Sequence, residues 1–281
     1  MTKKRKTVKK KVVTEQEIKR KLLFWSIAIP CLMVLAIFTW QHRAGLSYLM
    51  IKWFEKDKMI AEDNSKYDIR NIELMRRHQE KIFGIDVSQY QGDISWDEVL
   101  TINDEFPVDF IFIRATMGEK AKDSKFKSNW KEVKDKNKLR GAYHYFRPNE
   151  NSIKQANNFI KTVKLEPGDL PPVLDIEEMP RNQSMDSLKT GLKRWLIQVE
   201  KHFKVRPVLY SGDKYFADFL EKEFADYTLW IANYNFWVES PKKHWNFWQF
   251  SERGTVKGIK GPVDLNLFNG DIEELEKICL K

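Results

Sequence analysis

From Phe83 to Leu267 the chain carries eight short apolar or β-rich runs, and their spacing constrains the fold more than any other feature. The runs are Phe83–Val87, Phe110–Arg114, Gly141–Phe146, Val173–Ile176, Val208–Tyr210, Leu229–Ala232, Phe247–Phe250 and Val263–Leu267. Segments long enough for helices follow the early runs: Trp96–Glu105, Phe126–Lys138, Ile153–Lys164, Met185–Phe203 and Tyr215–Lys222. Strands alternating with helices form parallel βα units, because each crossover must span the sheet and cover its face. The last three runs are joined by about 10–15 residues rich in polar residues, Gly or Pro, which read as loops. The pattern predicts an α/β fold, a modified TIM-type (β/α) barrel with about five helices and eight strands. An open doubly wound sheet is the rival. It would want a glycine-rich phosphate turn after an early strand, and none is present.

The segment before the barrel has a different logic. Leu22–Trp40 runs nineteen positions without a charge, close to the ~20 residues that cross a bilayer core as a helix. Trp25 and Trp40 lie near its ends, where amphipathic rings favour the interface, and Pro30 is tolerable in a spanning helix. Residues 1–21 hold ten Lys or Arg and two Glu, so +8 of the formal +9 sits in this tail. The other 260 residues carry 39 basic and 38 acidic side chains, too even a balance for a nucleic-acid partner. The basic flank predicts a single-pass membrane protein with its N-terminus in the cytoplasm and everything after Trp40 outside. A cleaved signal peptide is an alternative, but no A-x-A-like site follows the apolar run; a buried helix of a soluble domain is another. The expected division is a basic cytoplasmic tail (1–21), a transmembrane helix (22–40), a stalk (41–81) and the barrel domain (82–281). The stalk carries no motif residue, so 82–281 is expected to fold without it. Cys31 lies in the apolar run and Cys279 near the C-terminus. This predicts neither a disulfide nor a zinc site, and no metal or cofactor is expected.

In a barrel of this type, catalytic groups sit where the strands end at one rim. The run ends bring Asp86, Arg114, His144 with Tyr145, Asp175 with Glu177, Tyr210, Ala232 with Tyr234, Gln249 and Asp264 to that rim. The sharpest element is Val173-Leu174-Asp175-Ile176-Glu177. Acids at i and i+2 on a strand share a face, with Cα atoms ~6.5–7 Å apart. Carboxylates so placed repel, which raises one pKa and leaves a protonated acid beside an anion. Glycoside hydrolysis needs such a pair, an acid for the leaving oxygen and an anion for the developing oxocarbenium charge. An isolated D-x-E is more often a solvated strand end; here an apolar run leads straight into it. Tyr90, Tyr145, Tyr210 and Tyr234 can stack on pyranose faces or pack in the core. Arg114 can hold an acid or only cover the rim, Trp230, Trp245 and Trp248 divide between packing and platform, and His144 reads as a structural hydrogen-bonded residue.

The ordered set of motifs resembles glycoside hydrolase family 25, the muramidase lysozymes. It comprises Gly84-Ile85-Asp86-Val87-Ser88 with Tyr90-Gln91-Gly92 and Trp96, then Arg114-Ala115-Thr116 and Gly141-Ala142-Tyr143-His144-Tyr145-Phe146-Arg147-Pro148. Leu174-Asp175-Ile176-Glu177, Leu229-Trp230-Ile231-Ala232-Asn233-Tyr234, Trp248-Gln249-Phe250 and Val263-Asp264-Leu265-Asn266 follow in order. The resemblance spans residues 83–270. It implies hydrolysis of the β-1,4 bond between N-acetylmuramic acid and N-acetylglucosamine in peptidoglycan, with the domain on the cell-wall side of the membrane. It implies Glu177 as general acid and Asp175 as its partner, assisting a water or the substrate's own acetamido group. Asp86 and Asp264 match two further acidic positions, and Tyr90, Arg114, Tyr145, Tyr210, Tyr234 and Gln249 become substrate-binding candidates. Met117 departs from the family's frequent A-T-E-G pattern, and Phe250 stands where Tyr is common. A non-catalytic glycan-binding protein and an enzyme acting on chitin remain as alternatives.

Overall fold

Every barrel strand is buried on both faces, which is why its sequence reads as a continuous apolar run rather than an alternation. The structure, a computed structural model, describes residues 15–41, 65–136, 138–235, 238–241 and 244–281. Eight strands form the barrel: β1 (Ile82–Val87), β2 (Phe110–Met117), β3 (Leu139–Tyr145), β4 (Val173–Asp175), β5 (Val208–Gly212), β6 (Thr228–Ala232), β7 (Phe247–Gly254) and β8 (Val263–Phe268). Each pairs with the next, and β1 closes the cylinder by pairing with β2 in parallel and β8 in antiparallel. All eight expected strands are present within a few residues of their expected bounds. The direction of β8 was not legible: it runs antiparallel to both β7 and β1.

The period-two alternation separates two apolar clusters. Phe110, Phe112, Tyr143, Val173, Val208, Tyr210, Trp230, Phe247 and Phe268 fill the barrel. Ile111, Ile113, Ala142, Leu174, Leu209 and Ile231 face the surrounding helices. Glycine makes room for the inner aromatics. A Cβ at Gly84 or Gly141 would lie 2.5 Å from atoms of Phe110 or Phe112, and Phe112 stacks on Trp230 with centroids 4.5 Å apart.

Seven helical segments are described. α1 is Glu15–Gln41, α2 Ser65–Arg77, α3 Phe126–Lys134, α4 Ser152–Thr162 and α5 Met185–Phe203. α6 joins Asp213–Tyr215 and Glu221–Phe224 through a π-helical turn at Phe216–Leu220, and α7 is Ile272–Ile278. The α5 boundaries match the expectation because Ser184 caps its first turn by accepting from the Ser187 amide. Trp96–Glu105 is not a helix. It contains turns and the start of a hairpin between Thr101–Ile102 and Phe106–Pro107, whose turn residues Asn103 and Asp104 adopt φ of 49° and 56°, a geometry those types tolerate. A terminal helix is also present where none was expected. α7 brings Leu275 and the following Cys279 into the inner cluster and so plugs the barrel end opposite the site.

Two findings bear on the N-terminal segment. Leu22–Trp40 within α1 is one helix long and apolar enough to cross a membrane, with mean hydropathy 2.4 and none of it buried. Of the stalk, residues 42–64 lie outside the described residues, but α2 packs on β7 and buries Arg70, Asn71, Leu74 and Met75. This part of 41–81 is attached to the barrel.

Candidate active site

The polar end of each inward-facing row meets at one mouth. On β1, Gly84 faces inward, so Asp86 two residues on does too. On β2, Phe110 and Phe112 lead to Arg114; on β3, Gly141 and Tyr143 lead to Tyr145. On β4, Val173 leads to Asp175 and then Glu177 just past the strand. These groups line a cavity of about 260 Å³ with Ser88, Tyr90, Gln91, Tyr143, Tyr210, Trp230, Tyr234, Gln249, Glu252 and Asp264. All four expected acids and all six expected binding residues are among them. Asp264 reaches the mouth from the start of its strand, because β8 runs downward; it pairs across the ladder with Asp86.

The acids differ in their support. Asp86 Oδ2 accepts from Gln249 Nε2 at 2.6 Å and Asn266 Nδ2 at 2.8 Å. Burial nevertheless raises its pKa to about 6, with Glu177 adding to the rise and Arg114 opposing it. Asp264 is pushed to about 9 by burial and then by Asp86, Glu252 and Glu177. Burial is also the main cause of the raised pKa of Glu177, with the charge of Glu178 adding to it. Asp175 is held well above the carboxylate range by burial and by Glu177. Burial is the largest cause at both acids; the charge of Glu177 adds to the rise at Asp175, whereas a hydrogen bond from Asp175 lowers the pKa of Glu177 and partly offsets its rise. Asp175 Oδ1 is buried without a hydrogen-bond partner among the described residues.

The walls are a polar network over aromatic packing. Gln249 Oε1 accepts from the Tyr210 hydroxyl at 2.6 Å and from the Tyr234 hydroxyl, so its amide links two tyrosines to Asp86. Trp230 lies beneath, buried, donating from Nε1 to Asn266 Oδ1 at 2.8 Å. Tyr210 and Trp230 are therefore floor. Tyr90, 78 % exposed, stands at the rim under the Arg114 guanidinium, 4.7 Å from the ring centroid. Arg114 is fixed by Asp123 Oδ2 at 3.0 Å. Tyr145 donates to Glu178 Oε1 at 3.0 Å, and Arg147 pairs with the same oxygen at 2.5 Å. Trp245 and Trp248 are buried in the outer core.

His144 lies outside the cavity. Its Nδ1 meets the Thr116 hydroxyl at 2.7 Å and its Nε2 meets Gln155 Oε1 at 3.0 Å. It stacks on Trp195, and burial lowers its pKa to about 4. It is a neutral structural residue.

Sequence reasoning missed Glu178, Glu252 and Ser88. Glu178 directly follows the acid pair and could have been found as a third charge. Glu252 could not, because two register shifts in β7, between Gln249 and Ser251 and between Ser251 and Gly254, break the alternation. Next to the acid cavity, Met117, Lys120, Arg147, Asn149, Glu178 and Arg181 line a larger one of about 680 Å³. Met117 Sδ there accepts from Arg147 Nη2 at 3.2 Å.

A barrel whose mouth gathers buried carboxylates between tyrosines is the architecture of a glycoside hydrolase. The profile of the glycosyl hydrolases family 25 matches residues 85–259. The chain belongs to that family, which includes lysozymes, and is a glycoside hydrolase. It is 42 % identical over 199 residues to the Escherichia coli (strain K12) protein YegX, spanning 69 % of this chain and 72 % of that one. It is 32 % identical over 207 residues to Lysozyme M1 of Streptomyces globisporus, covering 68 % and 69 % of the two chains. Among solved structures, a family 25 glycosyl hydrolase from Bacillus anthracis superposes with TM-score 0.64 at 29 % identity, over 72 % of this chain and 94 % of that one. The bacterial lysozyme from Streptomyces coelicolor gives 0.64 at 29 % identity, over 70 % and 96 %.

Proposed function

We propose that the protein is a muramidase that cuts the β-1,4 bond between N-acetylmuramic acid and N-acetylglucosamine in peptidoglycan, with Glu177 as general acid. The observation that carries this is the convergence of Asp175 and Glu177 with Asp86 and Asp264 in one cleft walled by Tyr90, Tyr145 and Tyr234. Glu177 is the less deeply buried member of the pair, since Asp175 ends β4 while Glu177 lies beyond it. It is the one placed to deliver a proton to a glycosidic oxygen entering from the mouth. The reaction starts from the form of the pair in which the proton sits on Glu177. Asp175, raised well above the carboxylate range in the free site, is then the acceptor for the acetamido N–H or for water and the anion beside the cationic transition state. Asp86 is ionised at neutral pH and its neighbour Asp264 protonated, so they hold substrate as acceptor and donor.

The same reading places Leu22–Trp40 in the bilayer, the N-terminus in the cytoplasm and the barrel on the wall side. Support comes from the apolar helix and from the ten Lys or Arg before it. The test of the chemistry is digestion of purified peptidoglycan by the full chain in detergent, with mass analysis of the new reducing ends and chitin oligomers in parallel. Products ending in N-acetylmuramic acid are expected. Ends in N-acetylglucosamine, or turnover confined to chitin, would replace the substrate assignment.

A further inference from the structure

Helix α2 lies outside the region matched by the family, which starts at residue 85, yet it grips the strand that carries Gln249. Along β7, Gln249 pairs with Asn266 while Ser251 pairs with Leu265. Phe250 is therefore the extra residue of a β-bulge, and bulges re-aim side chains beside active sites. The Phe250 carbonyl accepts from the buried Arg70 at Nη1, 2.7 Å away. Arg70 Nη2 reaches the carbonyl of Asn235 at 3.4 Å, the residue after Tyr234. The neighbouring Asn71 donates to the carbonyl of Arg253 at 3.1 Å, the residue after Glu252. One turn of α2 thus holds the main chain next to three groups that line the cavity, Tyr234, Gln249 and Glu252. Further contacts from His78 and Arg77 to Glu239 fasten the loop after β6 to the same region.

We infer that Arg70 is a positioning residue of the active site: through the Phe250 bulge it holds the Gln249 amide against Asp86 and against the Tyr210 and Tyr234 hydroxyls. A guanidinium suits this task because its donors diverge from separate nitrogens in a rigid plane and reach two carbonyls in a fixed geometry, whereas the three donors of a lysine spread from a single nitrogen on a flexible stem. Burying such a group is costly unless its hydrogen bonds are made, so the contact is specific rather than a surface accident. The segment that reads as a featureless stalk is then part of the catalytic apparatus.

The test compares the full chain in detergent with Arg70→Met and Arg70→Lys, using Arg76→Ala as control. Arg76 is on the same helix, exposed and paired only with Glu105 at the surface among the described residues. Two readouts are taken well below the unfolding transition. The first is amide exchange at Asn233, whose N–H donates to the Gln249 carbonyl; it needs no catalytic activity, so it stands even if the muramidase reading fails. Arg70→Met is expected to speed it at least tenfold, leaving the amides of β3 and β4 unchanged. The second is the acidic limb of the turnover profile. Gln249 favours ionised Asp86, whose other neighbours are Asp264, Glu177, Arg114, Tyr143, Tyr234 and Asn266. Loosening Gln249 should move that limb to higher pH, with turnover falling about tenfold at pH 5–6. Arg70→Lys should fall between Met and wild type in both readouts. If Arg70→Met is too unstable to handle, the lysine variant carries the test alone. Lowered stability with unchanged Asn233 exchange and an unmoved pH limb would overturn the inference, as would equal effects of Arg76→Ala.

Discussion

The barrel has two unlike halves. From β1 to β6 the strands are parallel, and from β2 onward helices or helical turns lie between them, so the inward row of each strand delivers its last member to the mouth by simple alternation. From β7 to β8 the chain doubles back as a bulged antiparallel pair with no helix between, and α2 arrives from outside the family region to cover it. The parallel half generates site positions by repetition. The antiparallel half does so by local exceptions, each needing its own support.

The sharpest way to break this contrast is at the acid pair of the parallel half. Glu177→Gln keeps the shape and removes the transferable proton. It should cost a hundredfold or more in muropeptide release from peptidoglycan while glycan binding stays measurable; near-full activity in a folded variant would place the proton donor elsewhere. Asp175→Asn should also cripple turnover.

Next comes the boundary of the antiparallel half. A chain starting at Ile82 loses the burial of Leu74 and Met75 and the bonds of Arg70 and Asn71. At roughly 1.5–3 kcal/mol per large apolar side chain, the melting midpoint should drop by about 10 °C relative to a chain starting at Ser65. Equal midpoints for the two chains would make α2 an appendage and the halves self-sufficient.

A smaller effect tests the electrostatics where the halves meet. Asp264 has its pKa raised by burial and by neighbouring acids to about 9. Stability from such a group is complete below its unfolded value near 4 and is lost as pH rises towards 9. Asp264→Asn removes that loss. Its midpoint should therefore gain on the wild type steadily between pH 5 and pH 9, by thermal denaturation across that range. A constant offset would show that Asp264 is already ionised at pH 5. The smallest effect belongs to Tyr90→Ala at the exposed rim, where a severalfold rise in KM with unchanged kcat is expected.

The same contrast explains what could be read from the sequence. Asp86, Arg114, Tyr145, Asp175 and Glu177 were legible because alternation and an apolar lead-in fix their face. Gln249 and Asp264 were also read as run ends, but Asp264 stands at the start of its strand and reaches the mouth only because β8 reverses, which leaves no mark in its short apolar run. Glu252 lies beyond two register shifts and was illegible. Trp96–Glu105 was misread because its apolar spacing suits a helix, while Asn103 and Asp104 favour a left-handed turn. α2 was overlooked for a physical reason too: its buried contacts are made by Arg70 and Asn71 as much as by Leu74 and Met75. A helix that docks through polar side chains shows only a thin apolar stripe.

The docking of α2 also sets a mechanical limit. With Leu22–Trp40 in the bilayer, as proposed, only residues 42–64 separate α1 from α2. Twenty-three residues extend at most ~3.3–3.6 Å each, or about 80 Å in all. The radius within which the mouth can work is then fixed by covalent length, about 60 Å shorter than if the chain from 42 to 81 were all free to extend, because the last 17 residues no longer pay out. Any pull along that tether reaches the barrel first through Tyr67 against Arg253 and Asp68 with Thr255, and then through the bonds from Arg70 and Asn71 to β7.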